Sequence, residues 1–128
     1  MTDTQTAADS TPLLRDWFGI LDGDEPDRVL DLITDDFAIS ILFATTDGSA
    51  EFHGDRDALV GYLAQREKST LVHHILRASR VGDTELVLGQ TTRQGDFEAS
   101  FNASAQLTAD SKVRRLLICR TPRVHFER

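Results

Sequence analysis

Residues 13–43 constrain the fold most, because their hydrophobic period changes from that of a helix to that of a strand. Thr11 and Pro12 are typical of a helix start. The large apolar residues after them fall on one helical face: Leu13, Leu14, Trp17, Phe18 and Leu21. Pro26 opens a second predicted helix that runs to Asp36. Residues 37–43 alternate and are rich in β-branched side chains, which predicts a strand directly after the helical layer.

The rest of the chain is predicted to be mostly strand. Asp47-Gly48 indicates a turn, and a short strand over residues 50–53 follows it. Asp55 can cap a third helix that runs from Arg56 to Glu67. Turn signals then separate four long antiparallel strands, over residues 71–80, 85–93, 97–108 and 112–120.

The strand over residues 97–108 has the clearest alternation in the chain. One face carries Phe97, Ala99, Phe101, Ala103, Ala105 and Leu107, and the other carries Glu98, Ser100, Asn102, Ser104 and Gln106. A meander that follows a helical layer should curl over it, and the small alanine side chains leave space beneath the sheet. We therefore predict an α+β fold, in which a strongly curved antiparallel sheet wraps around three helices as a cone with an internal apolar pocket.

Length and charge limit the classes of function. The 128 residues fit one domain, predicted over residues 11–128 after a disordered polar tail at residues 1–10. A net charge of -7 argues against nucleic-acid and anionic-membrane partners. The late arginines are predicted to form a solvated strand face: Arg114, Arg115, Arg120, Arg123 and Arg128. A single cysteine, Cys119, and the lack of a signal pattern predict a cytoplasmic protein.

The order of elements resembles the SnoaL-like, or nuclear transport factor 2-like, family. The resemblance covers roughly residues 13–120 and is most evident at residues 17–24, 29–37 and 52–59. It implies a cystatin-like cone that binds small molecules and that is commonly paired through its sheet, so we expect a homodimer. The family includes isomerases, lyases, polyketide cyclases and pure binding modules, so the fold alone predicts no reaction.

Two catalytic branches of this family can be tested against the residues present. A ketosteroid isomerase mechanism needs a carboxylate, a tyrosine and a neutral aspartic acid, but Trp17, Ile41 and Ala103 stand at the matching positions and exclude it. The dehydratase branch uses an Asp-His pair, in which the carboxylate orients the imidazole that removes a proton. Asp22 matches that aspartate, and His73 or His74 matches the histidine.

Strand alternation does not decide which of His73 and His74 points inward. The resemblance to dehydratases favours His73, and alignment with the isomerases favours His74. Some members carry a catalytic arginine on the last strand, which aligns here with Cys119, whereas the neighbouring Arg120 is predicted to point the other way. The alternative is that Asp22 caps a helix end and the histidines are structural.

Two interpretations of function therefore remain. The first is a lyase or isomerase that needs no cofactor and uses Asp22 with His73 or His74 on a small apolar organic molecule. The second is a ligand-binding or dimerisation module without a working base. In both, the pocket is predicted to be lined by Trp17, Phe18, Leu21, Ile39, Ile41, Phe43, Phe101 and Leu117. The four scattered histidines lack the spacing of metal ligands, which predicts that no metal is bound.

Overall fold

A computed structural model describes residues 12–45, 47–66 and 70–127. The chain runs through helix α1 (Leu13–Leu21), a 3₁₀ helix (Pro26–Leu32), strands β1 (Ile33–Thr45) and β2 (Gly48–Asp55), and helix α2 (Arg56–Gln65). Four strands follow: β3 (Leu71–Val81), β4 (Thr84–Arg93), β5 (Asp96–Leu107) and β6 (Val113–Thr121). The element order is the predicted one. The predicted tail and Thr11 lie outside the described residues.

The six strands form one open sheet in the order β2-β1-β6-β5-β4-β3. Four of the five neighbouring pairs are antiparallel, as predicted. The pair of β1 with β6 is parallel, so the sheet is mixed and not wholly antiparallel. No hairpin joins β1 to β6, and therefore no turn dictates their relative direction.

The second helix is shorter than predicted. It is a 3₁₀ helix that ends at Leu32, and residues 33–36, which were predicted to be helical, belong to β1. Ile33 and Phe37 are both buried and lie four positions apart. That spacing places two side chains on one face of either a helix or a strand, so the pattern did not separate the two. In the structure Ile33 pairs with Val113 of β6, so this segment is a strand.

Both α-helices pack on one face of the sheet and enclose the core with it. Both α-helices contact the 3₁₀ helix; α1 also contacts β3 and β4, whereas α2 also contacts β1 and β2. Leu14 and Val29 are completely buried, and Phe37 is nearly so. Each large apolar side chain that is buried in this way contributes roughly 1.5–3 kcal/mol to stability. Among the described residues, no helix is both long enough and apolar enough to cross a bilayer.

Glu85 caps the N-terminus of α1 from a distant strand. Its Oε2 accepts the backbone N–H of Leu13 at 2.7 Å, and its Oε1 accepts that of Leu14 at 3.0 Å. Pro12, the residue that precedes the helix, makes no side-chain cap. The Glu85 side chain is buried, with the residue only 4% exposed. A carboxylate at this position satisfies two unpaired donors and interacts favourably with the helix dipole.

The outer face of the sheet carries apolar side chains that face solvent. Leu42, Leu86 and Leu117 on three different strands are between 42% and 50% exposed. The predicted homodimer through the sheet would cover this face, and it stays a prediction.

Candidate active site

A small cavity lies between the helices and the inner face of the sheet. Its volume is about 90 Å³. Seven residues predicted to line the pocket do lie along its wall: Trp17, Phe18, Leu21, Ile39, Ile41, Phe43 and Phe101. Leu117 does not, because the residue is 50% exposed on the outer face. Ile118, its neighbour in β6, faces the cavity instead.

The alanines of β5 do not form the cavity. Ala99, Ala103 and Ala105 are all buried, but none of them lines the wall, so the prediction that their small side chains create the pocket is wrong. Phe101 is the β5 side chain that faces the cavity. The space above the alanines is filled by packed core, as expected for a close-packed interior.

Asp22 and His73 form a close pair at one end of the cavity. Asp22 follows the last residue of α1, and His73 is the third residue of β3. The Asp22 Oδ1 lies 2.8 Å from the His73 Nδ1, and the Asp22 Oδ2 accepts the His73 backbone N–H at 2.7 Å. A carboxylate only accepts hydrogen bonds, so Nδ1 carries a ring proton, and in the neutral imidazole Nε2 keeps its lone pair. This is the tautomer of a general base.

Aromatic rings hold the His73 imidazole on two sides. Phe18 stacks on it, with ring centroids 4.6 Å apart and an interplanar angle of 20°. Phe101 meets it edge-on at 5.6 Å and 76°. Among the described residues, Nε2 has no hydrogen-bond partner, and His73 lines the cavity. The ring is therefore fixed in orientation, and its unshared nitrogen is available to a bound molecule.

His74 points to the other face of the sheet. Its side chain is exposed, and its Nε2 lies 2.8 Å from the Thr92 Oγ1. Adjacent residues of a strand alternate between faces, so only one of the two histidines can face the cavity. The prediction that His74 could be the inward-facing base is therefore wrong.

Arg120 enters the cavity from β6, which the sequence did not predict. Its Nη2 donates to the Glu98 Oε1 at 2.5 Å and to the Thr91 Oγ1 at 3.2 Å, and its guanidinium carbon lies 5.5 Å from the centre of the Phe43 ring. Cys119, at the aligned position, is half-buried and lines a groove on the outer face. Pairing of Arg120 with Phe101 places Arg120 on the inner face.

A bulge in β5 explains the position of Glu98. Thr91 pairs with Ala99 and Thr92 with Phe97, so Glu98 has no partner across the strand pair. The alternation predicted an outward side chain, but a bulge changes the direction of the residue that it inserts. Glu98 therefore reaches Arg120. No local signal in the sequence marks this bulge.

Glu98 is held between two guanidinium groups. Its Oε2 accepts from the Arg93 Nε at 2.8 Å, while Oε1 accepts from Arg120. Partial burial raises the pKa of Glu98, but the hydrogen bonds and charges of Arg93 and Arg120 outweigh burial and hold the pKa below the ordinary value of 4.5. The ionised form is thus favoured in the folded protein.

This lowered pKa predicts a pH-dependent contribution to stability. The ionised pair stabilises the fold fully above the ordinary value of 4.5, and the contribution disappears as the pH falls through the lower folded-state value. Glu98→Gln should therefore lower the free energy of unfolding by about 1–2 kcal/mol at pH 7 and by much less at about pH 3. Urea unfolding at both pH values measures this loss of unfolding free energy. Glu127→Gln is the control, because Glu127 is exposed. An equal loss at both would contradict the prediction.

The cavity borders a polar depression at the end of α1. This depression has a volume of about 220 Å³ and shares Leu21, Arg66 and Leu71 with the cavity wall. The Arg66 Nη1 donates to the Leu21 carbonyl at 2.8 Å. Tyr62 also lines the cavity, with its ring 4.7 Å from that of Phe52. Neither Arg66 nor Tyr62 was among the predicted site residues, although Tyr62 was predicted to face the core.

The other histidines lie away from this site. His53 is exposed on β2, and His125 stacks on Phe97 with ring centroids 3.8 Å apart. Within the described ranges, no group of three acidic, histidine or cysteine side chains is placed to hold a metal ion.

Comparison with known proteins identifies solved structures of the same fold but no relative by sequence. No protein-family model matches the sequence, and no curated protein matches it. A solved structure from Agrobacterium tumefaciens, described as a proposed isomerase of the SnoaL-like family, superimposes with a TM-score of 0.65 and 11% identity over 94% of this chain and 98% of that one. A nuclear transport factor 2-like protein of unknown function from Burkholderia xenovorans superimposes with a TM-score of 0.64 and 13% identity, over 88% of this chain and 82% of that one.

A third solved structure carries the name of a specific reaction. It is described as a proposed ketosteroid isomerase from Kribbella flavida and gives a TM-score of 0.59 with 15% identity, over 96% of this chain and 82% of that one. At these identities the likeness concerns the fold alone. In this chain, Trp17, Ile41 and Ala103 are all buried. The exclusion of that mechanism stays a prediction from the sequence.

Proposed function

Because the chain has the SnoaL-like fold, we propose that it binds a small organic molecule in the cavity and removes a proton from it with His73, without a cofactor. The observation that carries this proposal is the double hydrogen bond between Asp22 and His73. It supports a base whose tautomer and orientation are set before the substrate arrives.

The proposed reaction uses groups that meet at one cavity. His73 Nε2 takes a proton from a carbon beside a carbonyl group, and the electrons of the broken C–H bond move to the carbonyl oxygen. The Arg120 guanidinium, on the same cavity wall, would stabilise this oxyanion. Protonated His73 then returns the proton to another carbon, as in an isomerase, or to a departing group, as in a lyase. Asp22 stabilises the imidazolium through Nδ1.

A binding module without catalysis is the second candidate. Ligand pockets usually have volumes of roughly 300–1,000 Å³, whereas this cavity measures about 90 Å³. Such a small space favours a ligand of few atoms, or entry of only one end of a larger molecule. In this alternative the Asp22–His73 pair joins α1 to β3 and does nothing more.

Hydrogen–deuterium exchange separates the two candidates. Small ketones and aldehydes with acidic C–H bonds are incubated in D₂O with the protein, and deuterium at carbon is followed by NMR. We expect the wild type to accelerate exchange and His73→Ala to lower the rate at least about 100-fold. His74→Ala is the matched control, because it removes an adjacent imidazole on the outer face, and it should keep the wild-type rate.

Two results would contradict the enzyme proposal. One is no acceleration of exchange by the wild type for any compound of the panel. The other is an equal rate in the wild type and in a folded His73→Ala variant. Either result would favour the binding module.

A further inference from the structure

Among the described residues, the acid–base groups on the cavity wall are two arginines and a histidine, together with the Tyr62 hydroxyl. Arg66, His73 and Arg120 belong to the wall, and within the described part of the chain none of the lining side chains is an aspartate or a glutamate. This is unexpected in a chain with 21 acidic residues and 14 lysines and arginines. Asp22 lies behind His73, away from the wall, with both oxygens engaged by that residue. Two guanidinium groups thus line a cavity inside an acidic protein.

The positive charge of Arg120 is only partly compensated. Glu98 is shared between Arg93 and Arg120, so two guanidinium groups face one carboxylate and the cluster keeps one positive charge. Arg120 uses only Nη2 in its hydrogen bonds to Glu98 and Thr91. Within the described part of the chain, Nε and Nη1 have no hydrogen-bond partner. Two N–H donor groups therefore remain for a ligand, and a guanidinium prefers carboxylate oxygens.

The rest of the wall is apolar and limits the size of the ligand. Aromatic and aliphatic side chains surround the charged groups, among them Phe43, Ile41 and Ile118. A volume of about 90 Å³ is well below the roughly 300–1,000 Å³ of usual ligand pockets. It favours a carboxylate with only a few carbon atoms. Arg120 also lies near His73. Thr91, which accepts a hydrogen bond from Arg120, pairs directly with His73 across the closely spaced strands β3 and β4.

From these observations we infer that the cavity binds a short-chain monocarboxylate, with its carboxylate on Arg120 and its carbon chain against the apolar wall. This ligand carries a negative charge, whereas the sequence predicted an apolar ligand. Binding itself is independent of catalysis. Only the orientation of the carbon beside the carboxylate toward His73 depends on the proposed function.

Binding of propionate, compared with propionamide and propylammonium, tests the inference in the intact protein. The three probes have similar size and carry negative, zero and positive charge. Trp17 is the single tryptophan and lines the cavity, so its fluorescence reports occupancy, with calorimetry as a second measurement. We expect propionate to bind at least about tenfold more tightly than either other probe. Equal binding of propionate and propionamide, or no binding of propionate, would overturn the inference.

Substitution of Arg120 identifies the group responsible. Arg120→Gln should weaken propionate binding at least about tenfold, and Arg120→Lys, which keeps the charge, should weaken it less. Arg77→Gln is the matched control, because Arg77 is exposed and donates to the Leu76 carbonyl, and it should leave affinity within about twofold. Unchanged affinity in a folded Arg120→Gln variant would overturn the inference. If a variant does not fold, the comparison of probes on the wild type still decides.

The two proposals fail in different ways. Selective binding of propionate without any deuterium exchange would keep the ligand class and remove the catalytic proposal. Exchange on neutral ketones without selective binding of propionate would do the reverse.

Discussion

Glu85→Ala is expected to lower the free energy of unfolding by about 3–4 kcal/mol. The substitution removes both acceptors from the backbone N–H groups of Leu13 and Leu14 at the start of α1. Leu14 is fully buried, so water cannot easily replace the lost hydrogen bond. An unsatisfied buried donor costs about 1–3 kcal/mol, and loss of the favourable charge at the helix N-terminus adds up to about 2 kcal/mol. Urea or thermal unfolding measures this loss.

Two further variants separate charge from hydrogen bonding. Glu85→Gln keeps one carbonyl oxygen as an acceptor but removes the charge, so roughly half the loss is expected. Glu51→Ala on β2 is the control, because that side chain is 63% exposed and lies 3.7 Å from His53, whose side chain is 70% exposed. It should change stability by no more than about 0.5 kcal/mol. A Glu85→Ala variant as stable as Glu51→Ala would contradict the capping role.

Gly89→Ala is expected to destabilise the protein by about 3 kcal/mol and to disturb the cavity. A Cβ atom at this position would lie 2.5 Å from the Phe101 Cζ and 2.6 Å from the His74 carbonyl oxygen. The ring can move only away from Gly89, and the carbonyl belongs to the backbone of β3, so neither contact is relieved without strain. Displacement of Phe101 also disturbs the edge contact with the His73 ring.

Gly61→Ala is the matched control for this substitution. Gly61 lies within α2, and an added Cβ would meet no atom within 4 Å. Alanine is the better helix former by about 0.8–1 kcal/mol, so this variant should be more stable than the wild type. Opposite signs for the two glycine substitutions are the expected result. A neutral Gly89→Ala variant would show that the packing of Phe101 on β4 is looser than these distances indicate. Trp17 fluorescence in the same samples measures the disturbance of the cavity.

The order of the elements was predictable because each element has its own local pattern. The apolar stripe that ends at Leu21 defines α1, and the alternation that runs through Phe101 defines β5. The match of Asp22 to a family position also pointed to the residue that contacts His73. The helix and strand patterns depend on neighbours a few positions apart, which a sequence displays directly, whereas the Asp22 match came from the family resemblance.

Other features depended on contacts between distant segments. The parallel pairing of β1 with β6, the capping of α1 by Glu85 and the choice of His73 over His74 join residues far apart in the chain. The bulge at Glu98 has the same origin, because it is defined by the register between two strands. It brings the Glu98 side chain within reach of Arg120.

Local periodicity therefore determined the order of the helices and strands and the apolar character of the interior. Tertiary pairing alone decided which polar groups enter that interior. The physical reason is that a strand turns every second side chain inward, so a shift of one residue exchanges the two faces. Register and bulges are set by the neighbouring strand and not by the residue itself. Arg120 and Leu117 were both assigned to the wrong face for this reason, and the charge of the cavity followed from the structure.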